Sequence, residues 1–158
     1  MSSTPQVFMR ETIRLAIENV EKHHGGPFAA IIVCGSEILA TGENRVTSDL
    51  DPTAHAEVVA IRNACKTLNS FQLTGCDLYT SCEPCPMCLG AIYWARPDRI
   101  FFGASRDDAS DADFDDDFIY REVALPPEER SIPMRQVLRD EAAKVFDAWI
   151  KNPDRRPY

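Results

Sequence analysis

Apolar and polar positions along the chain change their spacing several times, which predicts an alternation of helices and strands. Residues 7–22 place apolar side chains three and four positions apart, as on one face of an amphipathic helix. The apolar runs "FAAIIVC" and "ILATGEN" predict two strands joined by a turn. A second helix is expected from Thr53 to about Leu68, followed by a strand at "DLYTS", a helix that ends near Ala95 and a strand at "RIFFGAS".

Strands that are separated by helices of this length favour parallel pairing, with helices packed on both faces of one sheet. We therefore expect an α/β fold, a three-layer α/β/α sandwich formed by a single domain over residues 1–158. A last helix is predicted at about 140–151, before the polar end "NPDRRPY". Pattern alone predicts that this end is a disordered tail.

Composition and charge narrow the class of partner. Apolar residues make up 44% and charged residues 27% of the chain, as is usual in globular domains. The net charge of −8 opposes a polyanionic partner such as tRNA or duplex DNA, whose binding depends on cationic side chains. The chain shows neither a membrane-spanning apolar run nor a signal peptide in "MSSTPQVFMRET". We therefore expect a cytoplasmic protein that binds neither nucleic acid nor a membrane.

The stretch "SCEPCPMC" contains three of the six cysteines. Its spacing Cys85-x-x-Cys88 is compatible with a disulfide framework, a structural zinc knuckle, a redox pair or a catalytic metal site. A disulfide framework is disfavoured because cytoplasmic thiols stay reduced. The remaining cysteines Cys34, Cys65 and Cys76 are most simply interpreted as small buried apolar residues.

A second motif, "TAHAEVVAIR", points to a catalytic metal site. His55 and Glu57 stand near the start of one predicted helix, and Cys85 and Cys88 near the start of another. Residues three apart share a helix face, and two helix starts can meet at one edge of a sheet. One imidazole and two thiolates suit zinc and leave its fourth position open, whereas a structural site normally uses four protein ligands. We therefore expect one Zn²⁺ per chain, bound by His55, Cys85 and Cys88.

The order "HAE" then "PCPMC" matches the H-x-E…P-C-x-x-C signature of the zinc-dependent nucleoside and nucleobase deaminases. Over nearly its full length the chain also resembles the bacterial guanine deaminases of the cytidine deaminase-like family. The segments that carry this likeness are "GGPFAAIIV", "NRVTSDLDPTAHAEVVAIRNAC", "LYTSCEPCPMCLGAIYWARP", "DADFDDDFIYRE" and "RRPY". The resemblance implies a cytidine deaminase-like sandwich around a mixed, mostly parallel central sheet of about five strands.

The resemblance also implies the reaction and the roles of the site residues. A zinc-dependent hydrolysis would convert guanine, a small purine base, to xanthine and ammonia, with zinc-bound hydroxide attacking C2 and Glu57 shuttling protons. Asp116 would accept a hydrogen bond from the exocyclic amine and act as a second proton shuttle. The other implied substrate contacts are stacking by Phe28, a hydrogen bond between Asn44 and the edge of the base, the backbone N–H of Ala56 facing the ring, and a pocket wall at Trp94.

In the family that the chain resembles, the C-terminal segment crosses to a partner subunit. The resemblance therefore implies a homodimer in which residues 140–158 are exchanged and Tyr158 closes the neighbouring pocket. A closed pocket would favour a free base over guanosine.

Each of these residues also has a plainer interpretation. The cluster could be a structural zinc site, Glu57 a solvated helix residue, and Phe28 or Trp94 part of the core. Asn44 could be a turn residue, and the acidic stretch 107–117 could be solvated surface, with Asp115 or Asp117 as the relevant carboxylate instead of Asp116. The rival functions are deamination of cytosine, guanosine or a related heterocycle, and a catalytically silent zinc-binding scaffold or nucleic-acid-binding module.

Overall fold

The computed structural model describes residues 4–158, which divide into two compact units, one up to Asp116 and one from Asp117 to Tyr158. The first unit holds a sheet and its covering helices. Its elements in chain order are α1 (Pro5–Glu21), β1 (Ala29–Cys34), β2 (Glu37–Glu43), α2 (Val46–Asp49), α3 (Ala56–Leu68), β3 (Cys76–Cys82), α4 (Pro86–Ala95), β4 (Arg99–Ala104) and α5 (Arg106–Ser110).

The sheet of the first unit is mixed, as expected, but its pairing is mainly antiparallel. Within the described residues it has four strands, where about five were expected, in the order β2-β1-β3-β4. Strand β1 runs antiparallel to both β2 and β3, and only β3 and β4 are parallel. The two residues Gly35 and Ser36 join β1 to β2, and so short a loop forces antiparallel pairing. Parallel pairing was correct for β3 and β4, which are joined through α4.

Helices cover both faces of this sheet, which confirms the sandwich. On one face, Phe8 of α1 packs against Ile31, Val33 and Tyr79. The apolar run of β1 lacks alternation because its even-numbered residues face the other layer, formed by α3 and α4. The members of that second cluster are Ala30, Ile32, Ala56, Ala60, Ala64, Leu73, Cys76, Leu78, Ile92 and Ala95.

Close packing of β2 on α3 fixes the start of α3. A Cβ atom on Gly42 would lie 2.4 Å from the backbone oxygen of Ala56 and 2.3 Å from the backbone nitrogen of Ala60. Only glycine lets the strand approach the first turns of the helix so closely. The small side chains of the alanines in α3 also allow this close approach, so the residues at the start of α3 are held against the sheet.

Helix α3 starts slightly later than predicted. Helix α3 was expected from Thr53 but begins at Ala56, because Thr53 turns back on Asp51 and donates to its Oδ1 from both the backbone N–H (2.8 Å) and the hydroxyl (2.7 Å). Helix α4 begins at Pro86, with Cys85 as its N-cap. The residue before each helix, His55 or Cys85, has an extended backbone and is a zinc-ligand candidate.

Cys34 and Cys76 form a disulfide, which contradicts their interpretation as plain apolar residues. The two cysteines are register partners on the antiparallel strands β1 and β3, so their side chains face each other. They are 42 residues apart in the chain, and only the strand register brings them together. Cys65 is a free, half-buried thiol.

The second unit is helical. It contains α6 (Asp117–Ala124), a short 3₁₀ helix (Pro127–Glu129) and α7 (Arg139–Lys151), which confirms the helix expected at about 140–151. Helix α7 is amphipathic and carries exposed apolar side chains at Val145, Phe146, Trp149 and Ile150. None of the helices that the structure describes combines the length and apolar character needed to cross a membrane.

Candidate active site

His55, Cys85 and Cys88 come together where α3 and α4 begin. The Nδ1 atom of His55 lies 3.6 Å from the Sγ of Cys85 and 3.5 Å from the Sγ of Cys88, and the ligand atoms all lie within 4.8 Å of one another. Tetrahedral zinc, with bonds of about 2.3 Å to sulfur and about 2.05 Å to nitrogen, would set these atoms about 3.6 Å apart. The donor types and their separations therefore fit a zinc ion.

The electrostatics of the cluster favour the thiolate at Cys85, the form in which cysteine binds a metal. The pKa of Cys85 is lowered to about 4, first by the hydrogen bond from the Cys88 thiol and then by His55. Cys85 also caps α4 and accepts from the backbone N–H of Cys88 at 3.5 Å, where the helix N-terminus favours the thiolate. The pKa of Cys88 is raised, chiefly by its hydrogen bond to Cys85, and that of His55 is raised by the same neighbouring thiol. The cluster thus stabilises an anionic sulfur beside the imidazole.

Glu57 is buried in the first turn of α3, with a relative exposure of 6%. Burial is the main cause that raises the pKa of its carboxyl, and the negative charge of Cys85 adds to it. The carboxyl accepts a hydrogen bond from the Thr80 hydroxyl at 3.2 Å and also interacts with Cys88. A buried carboxyl with a raised pKa takes up a proton more readily than a solvated one, which suits a general acid or base. Glu57 is therefore not a solvated helix residue.

Asn44 is held by backbone groups around it. Its side-chain Oδ1 accepts from the backbone N–H groups of Gly26 (3.2 Å) and Val46 (3.3 Å), so its Nδ2 remains the donor. The buried Asn19 of α1 donates to the carbonyl oxygens of Gly26 (2.9 Å) and Asn44 (3.0 Å). A Cβ atom on Gly25 would lie 2.1 Å from the Asn44 carbonyl oxygen, so glycine is required there. The turn at Gly25 and α1 together fix this amide.

Phe28, Ala56 and Asp116 are three further residues that were predicted to contact the substrate. Phe28 is half-buried, and its ring contacts the ring of Phe114 edge to face at 4.9 Å. Ala56 begins α3, so its backbone N–H is among those without an acceptor inside the helix. The pKa of Asp116 is raised, mainly by burial and then by the negative charge of Cys85, which places this carboxyl within electrostatic reach of the cluster. Ala56 and Asp116 therefore lie near the three metal-ligand candidates.

Sequence and structure comparisons agree with this arrangement. Residues 2–104 match the cytidine and deoxycytidylate deaminase zinc-binding region. The chain belongs to the cytidine and deoxycytidylate deaminase family. As in this family, zinc is its cofactor, and His55, Cys85 and Cys88 form a suitable cluster.

Several members of the deaminase family are similar over long stretches. The guanine deaminase of Bacillus subtilis (strain 168) is 53% identical over 153 residues, which cover 97% of this chain and 98% of that protein. An X-ray structure of guanine deaminase from Bacillus subtilis superposes with a TM-score of 0.97 at 52% identity, covering 99% of both chains. A tRNA-specific adenosine deaminase of Aquifex aeolicus (strain VF5) is 41% identical over 99 residues, which cover 63% of this chain and 65% of that protein.

Two other residues that the sequence assigned to the site have exposed side chains. Trp94 lies in the last turn of α4, six residues beyond Cys88, and its relative exposure of 64% excludes a core position. Tyr158 belongs to the second unit and is exposed.

Three residues that contact the predicted site residues were missed from the sequence: Asn19, Thr80 and Phe114. Phe114 could have been found from the sequence, because it is the aromatic residue inside the acidic stretch 107–117. Asn19 and Thr80 lie within a predicted helix and strand, where a single polar residue gives no indication of its partner.

Proposed function

We propose that this protein hydrolytically deaminates guanine to xanthine and ammonia. The observation that carries the reaction class is the buried Glu57 beside a cluster of three zinc-ligand candidates, since a structural zinc site needs neither the carboxyl nor an open position. The choice of guanine is supported by the relationship to the Bacillus subtilis guanine deaminase over nearly the whole chain. Purine metabolism is the corresponding physiological role.

His55, Cys85 and Cys88 would hold one zinc ion per chain. A zinc ion in this position supplies a Lewis acid that makes hydroxide available near neutral pH. Two thiolates and one imidazole hold it from two helix starts, so neither helix can move without changing the ligand geometry. Glu57, two residues after His55 in the first turn of α3, would be the carboxyl beside the ion.

Glu57 would move the protons of the reaction. Its carboxylate takes a proton from the attacking water, delivers it to a ring nitrogen of the base, and then helps to protonate the departing amine. Asp116 would accept a hydrogen bond from the exocyclic amino group and serve as a second proton carrier. The raised pKa values of both carboxyls support these roles, because each group can hold a proton between steps.

The purine would be held by groups of the first unit. Phe28 stacks on the ring, and Phe114 fixes the plane of Phe28. The Nδ2 of Asn44 donates to an acceptor on the edge of the base, and the N–H of Ala56 faces the ring. Trp94 has weaker support as a pocket wall, because its side chain is exposed at the far end of α4.

We also propose a homodimer in which residues 140–158 are exchanged, so that Tyr158 closes the pocket of the other subunit. Support comes from apolar side chains that need a covering surface: Val145, Phe146, Trp149 and Ile150 on α7, and Tyr93 and Trp94 on α4. The cytoplasm is the proposed location, because Cys85 and Cys88 must remain reduced to bind zinc. The Cys34–Cys76 disulfide opposes this location.

The proposal is tested by ammonia release from guanine, guanosine, adenine, cytosine, cytidine and tRNA, with zinc-loaded protein. Guanine should be deaminated well ahead of the other substrates, and removal of zinc with a chelator should abolish the activity. A preference for guanosine or cytosine would contradict the choice of substrate and leave the reaction class standing. No ammonia from any substrate would contradict the reaction class itself.

A further inference from the structure

Thr80 places a buried hydroxyl against the side chain of Glu57. It lies on β3 with a relative exposure of 1%. Side chains alternate along a strand, and Leu78 packs in the cluster that contains α3, so Thr80 faces α3 as well. The Thr80 Oγ1 donates to the Glu57 Oε1 at 3.2 Å.

Packing alone does not account for a threonine at this position. Valine has nearly the same shape, is favoured in strands and would suit the apolar neighbours on this face of β3. A buried hydroxyl costs stability unless it is hydrogen-bonded. The acceptor of this one is a carboxyl oxygen next to the three zinc-ligand candidates, so the hydroxyl acts on the site.

We propose that Thr80 is a positioning residue for Glu57, an inference that rests on the proposed proton-shuttle role. Rotation about the last torsion of a glutamate is broad and weakly restricted. A hydrogen bond from Thr80 to Oε1 restricts this rotation and directs the other oxygen, Oε2, toward the reacting water and base. Thr80 lies within β3 (Cys76–Cys82), so the hydroxyl that holds the carboxyl belongs to an element of the central sheet.

The test compares side chains that differ by a hydroxyl. Thr80→Val removes the hydroxyl and keeps the shape, and Thr80→Ser keeps the hydroxyl. The pair Thr80→Ala and Thr80→Ser decides the question if the valine variant does not fold. Thr12→Val is the matched control, because Thr12 is equally buried, donates to the Phe8 carbonyl oxygen at 2.9 Å and lies in α1 on the opposite face of the sheet.

For guanine, kcat of Thr80→Val should fall roughly ten- to a hundred-fold with little change in KM, as expected for a misplaced catalytic group. Thr80→Ser should recover most of kcat, and Thr12→Val should keep it. Zinc content should be unchanged throughout. Crystal structures should show the Glu57 carboxylate rotated in Thr80→Val and in its native orientation in Thr80→Ser.

Three results would overturn the inference: full kcat in both hydroxyl-free variants, equal losses in Thr80→Ser and Thr80→Ala, or an unrotated carboxylate in Thr80→Val. The proposed function fails separately, if the native protein releases no ammonia from guanine. The crystallographic comparison needs no substrate, so it decides the positioning role even in that case.

Discussion

The ring of Phe114 meets the ring of Phe28 edge to face, with centroids 4.9 Å apart and planes at 87°. This contact links the segment before β1 to the acidic stretch, which are distant in the chain. An edge-to-face neighbour restrains the tilt of an aromatic ring. The ring of Phe28 is therefore restrained by Phe114.

Phe114→Ala should weaken guanine binding, because Phe28 loses the contact that fixes its ring. We expect KM to rise about two- to ten-fold, the effect of an aromatic pair worth roughly 0.5–1.5 kcal/mol, with a smaller change in kcat. Steady-state kinetics measures both constants. Phe71→Ala is the control, since Phe71 is similarly exposed but lies beyond the opposite end of α3. Equal effects of the two substitutions would contradict a role for Phe114 in the site.

Cys85→Ala should lose zinc and activity together, because two ligands rarely retain the ion. Metal analysis of the purified variant and ammonia release measure the two properties. Cys65→Ala should keep both, since Cys65 is a free thiol outside the cluster. Stoichiometric zinc in Cys85→Ala would show that the ligand assignment is wrong.

Glu57→Gln should keep zinc and the fold but lose activity. The amide is nearly isosteric but cannot carry a proton, so kcat should fall by at least about 10²-fold. Glu21→Gln, at the exposed end of α1, should behave as the native protein. If Glu57→Gln deaminated guanine at a rate close to the native one, Glu57 would not be the proton shuttle.

The sequence predicts those parts of the site whose residues lie close together in the chain. The motifs around His55, Glu57, Cys85 and Cys88 each fit within a few residues, and their position at helix starts followed from the spacing of apolar residues. The antiparallel pairing of β1 with β3 depends on contacts between distant segments, so neither it nor the Cys34–Cys76 disulfide was predicted. For the same reason, the hydrogen bonds to Asn44 from residues 18 and 25 positions away were not predicted.

Asp116→Asn should impair guanine turnover much more than Asp115→Asn or Asp117→Asn. Asp116 is the half-buried carboxyl whose pKa responds to the charge of Cys85, and an amide in its place can neither carry a proton nor accept as strongly. Its neighbours provide matched controls with the same charge change. Small, equal effects at the three positions would mean that the whole stretch is solvated surface.

Removing Arg156–Tyr158 should leave zinc and fold intact while guanine turnover falls sharply, because the proposed exchange makes Tyr158 the lid of the other subunit's pocket.

Complementation tests the exchange itself. Two chains that are each inactive are used: full-length Glu57→Gln, and the truncated chain with Glu57 intact. In their mixed dimer, the truncated subunit supplies the intact Glu57 and the full-length subunit supplies the Tyr158 that closes the same pocket. After unfolding and refolding together, roughly a quarter of the native activity should return, since half of the dimers are mixed and each has one complete site. A truncated protein as active as the full chain would make the tail dispensable. An inactive mixture would show that Tyr158 does not act across subunits.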